Sequence, residues 1–235
     1  MLAQAVQEYV VRGKKQETPT VTTLILTLVS GDIPPYKAGQ YITVYFPDSS
    51  APRGKEYSIS SAPVEKTFTI TVKAIGEYSN RLCGMKCSDT FLGSLPRGSF
   101  YSDHDNLNIV MLAAGIGITP FRSIIFDAVK RASSQELYLF CSNPILQESL
   151  FIQEFNMLAE RNKRFHIRRY VTRESLTTPV SLVRHITPNN ILHTVRNTAY
   201  SEFLISGTTS FVRKQRNELI RIGMSEENIC TEVCA

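Results

Sequence analysis

No apolar run in this 235-residue chain reaches the roughly 18 residues that a membrane-spanning helix requires; the longest candidate, Ile109 to Phe121, is interrupted by Gly, Thr and Pro. A helical membrane span is excluded. The first residues, MLAQAVQEYVVRGKK, lack both a basic leading segment and a continuous apolar stretch, and Glu8 breaks what hydrophobicity there is. A secretory signal is therefore not expected, and a cytoplasmic address is. Cysteine is scarce: there are five, and the spacings Cys83-x3-Cys87 and Cys230-x3-Cys234 match neither a zinc ribbon nor an iron–sulfur ligand run. Reduced, mainly structural thiols are expected, with Cys83 and Cys87 on one helical face. His104, His166, His185 and His193 share no ligand spacing with Cys, Asp or Glu, so metal binding is not expected. The charge excess is slight, 26 Lys and Arg against 21 Asp and Glu, too little to announce nucleic-acid binding.

What is present is a globular composition, 43% hydrophobic and 20% charged, of a length that suits two modest domains. The N-terminal half alternates short apolar runs with turns. Leu24, Leu26 and Leu28 interleave with Ile25 and Thr27, and Ile70 and Val72 with Thr69, Thr71 and Lys73. Ser30-Gly31-Asp32, Pro34-Pro35 and Pro96-Arg97-Gly98 punctuate them. This predicts a small antiparallel barrel. After Ser102-Asp103-His104-Asp105-Asn106 the pattern changes to continuous apolar runs (109–114, 137–141, 203–206) alternating with helical spacing over 149–161 and 210–222, the second stopped by Gly223. Such runs predict a buried parallel sheet with covering helices, whose ligands bind at the carboxyl ends of the strands. The predicted domains are residues 1–104 and 105–235.

Two segments carry chemistry. Gly115-Ile116-Gly117-Ile118-Thr119-Pro120 follows an apolar strand and opens an amphipathic helix. Two glycines there let the backbone approach a phosphate, and the helix dipole offers it roughly half a positive charge. Pro120 stands where a common dinucleotide motif has its third glycine, and suits a first helical turn. In the β half, Ala51-Pro52-Arg53-Gly54-Lys55-Glu56-Tyr57-Ser58-Ile59-Ser60-Ser61 puts cations, a ring and hydroxyls on one extended segment. In a strand, Arg53, Lys55 and Tyr57 would share a face suited to an anion beside a flat ring system. Gly76-Glu77-Tyr78-Ser79 forms a second anion cradle at a helix start. Two cradles on two domains predict two phosphate-bearing ligands.

Taken in order, these pieces resemble the ferredoxin–NADP reductase superfamily over nearly the whole chain. Tyr36-Lys37-Ala38-Gly39-Gln40-Tyr41 is similar to its FxxGQY strand, Tyr57-Ser58-Ile59-Ser60-Ser61 to its RxYSxxS motif, and Val72-Lys73 with Gly76-x2-Ser79 to its flavin and pyrophosphate loop. Asp89-Thr90 with Pro96-Arg97-Gly98 resembles the barrel closure, Gly115–Pro120 the GxGxxP turn, Ser206-Gly207 the CG pair of the nicotinamide pocket, and Glu232-Val233-Cys234 the C-terminal acid–x–aromatic. The resemblance implies a six-stranded antiparallel Greek-key FAD barrel followed by a Rossmann-like parallel α/β domain for NAD(P)H. It implies FAD contacts from Arg53, Lys55, Tyr57, Ser58, Ile59, Ser60, Val72, Lys73, Gly76 and Ser79. For NADPH or NADH it implies Gly115, Gly117, Thr119, Pro120, Ser142, Thr172, Arg173 and Gly207, with Thr119 near the contact of the two rings. Ser58 would lie near flavin N5, Ser206 beside the nicotinamide, and Glu232 would polarise that pocket.

The chain departs from the pattern at Lys55 for Arg, Ser206 for Cys, Thr208 for Pro and Cys234 for the aromatic. Val171-Thr172-Arg173-Glu174 is similar to a 2′-phosphate-binding SRE segment, which favours NADPH; Cys141-Ser142-Asn143 lacks an Arg that many NADP-dependent members carry. The implied activity is FAD-dependent oxidation of NAD(P)H with electrons passed to a separate acceptor, such as a ferredoxin or an oxygenase iron–sulfur component. Reduction of free flavin and a non-catalytic nucleotide-binding subunit are the alternatives. Residues 107–235 hold fifteen Lys and Arg against eleven acids, including Arg161, Lys163, Arg164, Arg168 and Arg169, so an acidic redox carrier is the expected partner there.

Overall fold

The structure, a computed structural model, describes residues 6–49, 53–102, 107–173, 182–183 and 185–234. Ala51, Pro52, His104, Glu174 and the expected boundary at 104/105 lie outside the described residues. The chain forms two compact units, residues 1–101 with 122–127, and residues 102–121 with 128–235.

The first unit contains six antiparallel strands: β1 (Val6–Thr18), β2 (Val21–Leu28), β3 (Tyr41–Tyr45), β4 (Lys55–Ser58), β5 (Phe68–Lys73) and β6 (Thr90–Ser94), in the order β4-β3-β6-β1-β2-β5. A bridge between Ile59 and Ile70, and a bond from Ser60 N to Thr69 O (2.8 Å), join the two edge strands and close the barrel. Period-two alternation sends Leu24, Leu26, Leu28, Ile70 and Val72 into one core with Tyr9, Ile42 and Val44. Tyr9 is fully buried between Phe68 and Phe91, and its hydroxyl donates to Ser94 O at 2.8 Å. The hydroxyls at the closure form their own buried chain. Ser60 Oγ lies 2.7 Å from Thr69 Oγ1 and accepts from Thr71 Oγ1 at 2.9 Å, and Thr71 meets Thr23 at 2.9 Å. Mutual satisfaction is what allows these polar groups to be enclosed. Helix α1 (Glu77–Gly84) connects β5 to β6 and packs Tyr78 and Leu82 on the core. Because α1 ends at Gly84, Cys87 is not on the helix; it is exposed while Cys83 is half-buried, so the expected shared face does not form.

The second unit holds six parallel strands: β7 (Asn108–Ala114), β8 (Leu137–Asn143), β9 (Phe165–Val171), β10 (Leu182–Val183), β11 (Ser201–Gly207) and β12 (Ile229–Val233), ordered β10-β9-β8-β7-β11-β12. Its described helices are α3 (Ile152–Arg161), α4 (Pro188–Thr194) and α5 (Thr209–Arg221), while α2 (Thr119–Lys130) has its ends in this unit and residues 122–127 in the first. From β7 the order runs outward through β8 and β9 on one side and continues through β11 and β12 on the other. The reversal between β7 and β11 is where a doubly wound sheet opens a crevice at its carboxyl edge. Helix α3 starts three residues later than its spacing predicts, because Phe151 adopts a left-handed conformation (φ 57°) after a short 3-10 turn. Helix α5 is capped by Thr208 and ends before Gly223, whose φ of +90° an α-helix cannot continue.

Candidate functional site

In the first unit, β4, the end of β5 and the start of α1 converge. Lys55 pairs with Val44 and Tyr57 with Ile42, so both lie on the core-facing side of β4, Lys55 exposed and Tyr57 half-buried. Burial, followed by the neighbouring Cys83 and Tyr78, pushes the Tyr57 hydroxyl well above its usual range and keeps it a neutral donor. Arg53 does not share the strand. Gly54 intervenes at φ +85°, with Thr43 Cγ2 and Val44 O at 2.6 Å from any added Cβ, so the chain turns sharply and β4 begins at Lys55. Ser58 is half-buried opposite Tyr41. Ile59 is enclosed in the core, and Ser60 spends its side chain on Thr69 and Thr71 and its N–H on Thr69 O. These two residues build the wall rather than facing outward.

Val72 is buried and Lys73, at the strand end, is half-buried. The Ser79 hydroxyl accepts from the N–H groups of Ile75 and Gly76, both at 2.9 Å, and donates to Gly76 O at 3.1 Å, which fixes the turn into α1. Nothing lies within 4 Å of a Cβ built on Gly76, so a ligand can reach the helix start along the backbone. Glu77 in the first turn suits the helix dipole but opposes an anionic ligand at the same place. The exposed Lys55 cation, the Tyr57 donor and this open helix start fit a dinucleotide's ring system and diphosphate.

In the second unit, the strand ends gather the other expected residues. Gly115 (φ +54°) opens a 3-10 turn over Gly115–Ile118 and has open space where a side chain would be. Gly117 has another reason. A Cβ there would stand 2.4 Å from Ser206 O, so its absence lets the turn lie on the end of β11. Gly207 (φ +153°) similarly leaves only 2.8 Å for a Cβ against that of Ala114. Thr119 is buried with its hydroxyl on Ile116 O (2.7 Å), and Pro120 is buried in the first turn of α2, so both side chains shape the turn. Ser142 is half-buried; Thr172 N donates to Asn143 O and Arg173 N to Pro144 O, both at 3.0 Å, which leaves the Arg173 side chain exposed beyond β9.

Ser206 stands opposite Glu232 in the parallel register of β11 and β12. Ser206 is fully buried with Oγ 3.4 Å from Cys234 Sγ, and Cys234 N donates to Gly207 O at 2.8 Å. Glu232 is half-buried on the same face. Burial pushes the Cys234 thiol up to about 11; the Ser206 bond works against that rise and the Glu232 charge adds to it. One residue that the motifs do not flag is Asn143. It is buried at the end of β8, its Nδ2 donates to Ser149 Oγ at 3.3 Å, and its Oδ1 has no hydrogen-bond partner. The polar pair Ser142-Asn143 directly after the apolar run 137–141 is the signal that could have found it. An open turn, an orphan buried acceptor and a cation beyond β9 along one carboxyl edge fit a nucleotide.

Residues 111–216 match the oxidoreductase NAD-binding domain family. A flavohemoprotein of Candida norvegensis is 29% identical over 222 residues, which span 90% of this chain and 53% of that protein. The flavohem-like FAD/NAD binding domain of nitric oxide dioxygenase from Vibrio cholerae superposes with a TM-score of 0.85 at 23% identity, covering 97% of this chain and 98% of that one. A ferredoxin NADP+ reductase from Neisseria gonorrhoeae, with bound FAD and NADP, superposes with a TM-score of 0.82 at 24% identity and the same coverage. Among the described residues no helix is long and apolar enough to cross a membrane.

Proposed function

Taking the chain as a member of the ferredoxin–NADP reductase superfamily, we propose that it is an FAD-dependent NAD(P)H oxidoreductase passing electrons to a separate acceptor. The observation that carries this reading is the carboxyl edge at the strand-order reversal, where Gly117 packs on Ser206 and Ser206 faces Glu232. FAD, when bound, supplies the chemistry: it accepts two electrons as hydride and can release them singly. The chain's contribution is placement and charge. Lys55 balances the diphosphate, and Tyr57 offers a neutral ring and hydroxyl to the flavin. The open space at Gly76 and Gly115 lets phosphate oxygens approach the backbone there. Glu232 polarises the nicotinamide pocket and holds its carboxylate on the face that Ser206 and Cys234 complete. Asn143 Oδ1 accepts from a nucleotide N–H or hydroxyl, and Arg173 meets a 2′-phosphate, which favours NADPH.

The acceptor is a haem group or a small iron–sulfur protein, following the two kinds of relative; the excess of basic side chains in residues 107–235 favours an acidic surface on it. The test is to load the purified protein with FAD and mix it anaerobically with NADPH and NADH in turn. Bleaching of the flavin band is the expected result. A loaded flavin that stays oxidised with both overturns the proposal.

A further inference from the structure

An ion pair that the proposed reaction does not use holds the backbone just beyond the flavin strand. Within the first unit, Arg122 Nη1 donates to Ser60 O at 2.8 Å and to Glu65 Oε2 at 2.9 Å, and Nη2 to Glu65 Oε1 at 3.2 Å. The side chains are only 14% and 22% exposed, and the guanidinium lies 4.6 Å from the Phe126 ring centre, so this is a fixed fork and not a surface pair. Its neighbours extend the hold. Ser123 Oγ donates to Ser61 O at 2.6 Å, Tyr36 OH to the same oxygen at 3.2 Å, and Ala62 N to Glu65 Oε2 at 2.6 Å. Beyond Ser58 the ladder of β4 ends, and the chain is held by the Ile59 bridge to Ile70 and by bonds from Ile59 N to Gln40 O (2.9 Å), Ser60 N to Thr69 O (2.8 Å) and Thr69 N to Ser61 Oγ (3.0 Å). The carbonyls of Ser60 and Ser61 take their direction from side chains.

We propose that Arg122 is a positioning residue for the flavin: by fixing Ser60 O and Glu65 it sets the course of the chain two residues beyond Ser58, and so the placement of Tyr57 and Ser58. The inference rests on the FAD reading above. Loss of the guanidinium frees Ser60 O and leaves the Glu65 carboxylate, largely shielded from water, without its cation. The flavin strand then loses its charged downstream anchor, and the bonds to Ser61 O and from the Ser60 N–H remain.

The experiment compares the parent with R122L, R122K and E65Q, measuring FAD affinity by fluorescence quenching, the visible circular dichroism of the bound flavin, and far-ultraviolet dichroism of the apoprotein. The expected result for R122L is FAD affinity lower by about tenfold or more, the loss of a charge-assisted bond, with an altered visible band and unchanged secondary structure. R122K restores charge without the fork and falls between. E65Q keeps the Ser60 bond and shows a smaller change. Parental affinity and a parental visible band in R122L overturn the proposal. Should R122L fail to fold, the graded change in R122K and E65Q decides, and parental behaviour in both overturns it. A parent that does not bind FAD instead overturns the reading beneath it.

Discussion

Ser206 on β11 and Glu232 on β12 stand directly opposite in parallel register, and Cys234, one alternation further along the same face, brings its sulfur to 3.4 Å from Ser206 Oγ. One residue from each strand and the residue just beyond β12 thus form one polar edge. Of these, Ser206 is enclosed against Cys234, and the half-buried Glu232 is the one that carries a carboxylate. Replacing Glu232 with Gln keeps the shape and removes the charge. Stopped-flow reduction by NADPH should slow by about a hundredfold, with FAD affinity near the parental value. An equal loss of FAD binding would assign Glu232 to the fold instead.

Lys55 and Glu77 should respond with opposite signs. Lys55→Ala removes the cation from β4 and should weaken FAD binding by about ten- to a hundredfold. Glu77→Gln removes an acid from the first turn of α1 and should strengthen it, because that charge repels a diphosphate at the helix start. Fluorescence titration of the two variants separates these effects; weaker binding by Glu77→Gln would move the diphosphate elsewhere.

Gly117→Ala tests packing in place of phosphate approach. The new methyl would meet Ser206 O at 2.4 Å, and the turn must shift off β11. A stability loss of about 1–3 kcal/mol is expected from the urea midpoint.

Arg173→Ala should raise KM for NADPH roughly tenfold through the loss of one charge-assisted bond. KM for NADH should not change. Steady-state kinetics with both donors checks this, and parallel changes would remove the 2′-phosphate role.

The thiols should label in order of access and acidity. Cys87 is exposed, whereas burial pushes Cys141 up to about 12 and Cys234 to about 11 from an ordinary 9.0. Timed alkylation followed by mass spectrometry should find Cys87 modified first and Cys141 last. The same shifts fix the sign of the alkaline response. The folded chain retains protons that the unfolded chain releases, so this contribution to stability is whole below about pH 9 and declines as pH rises through 11 and 12. Urea midpoints across that interval should fall with pH.

Much of the fold was legible because its signals are local. Alternation at Leu24, Leu26 and Leu28 needs only a strand with one dry face, and the continuous run 109–114 needs a strand dry on both. The glycine turn before α2 and the stop at Gly223 follow from backbone sterics alone. Tertiary structure decided what each motif residue does. Gly115 and Gly117 look alike in sequence, yet Gly115 faces open space and Gly117 lies against Ser206, a contact that exists only when β11 is beside β7. Ser60 lies within the flavin motif but is consumed by hydroxyls from β5, and Arg53 is separated from its expected strand by a turn at Gly54. Neither Asn143, with its orphan acceptor, nor the pairing of Arg122 with Glu65 carries a motif. Local pattern determines which elements form, whereas the partners of a buried polar group come from residues distant in sequence, and only the packed chain selects them.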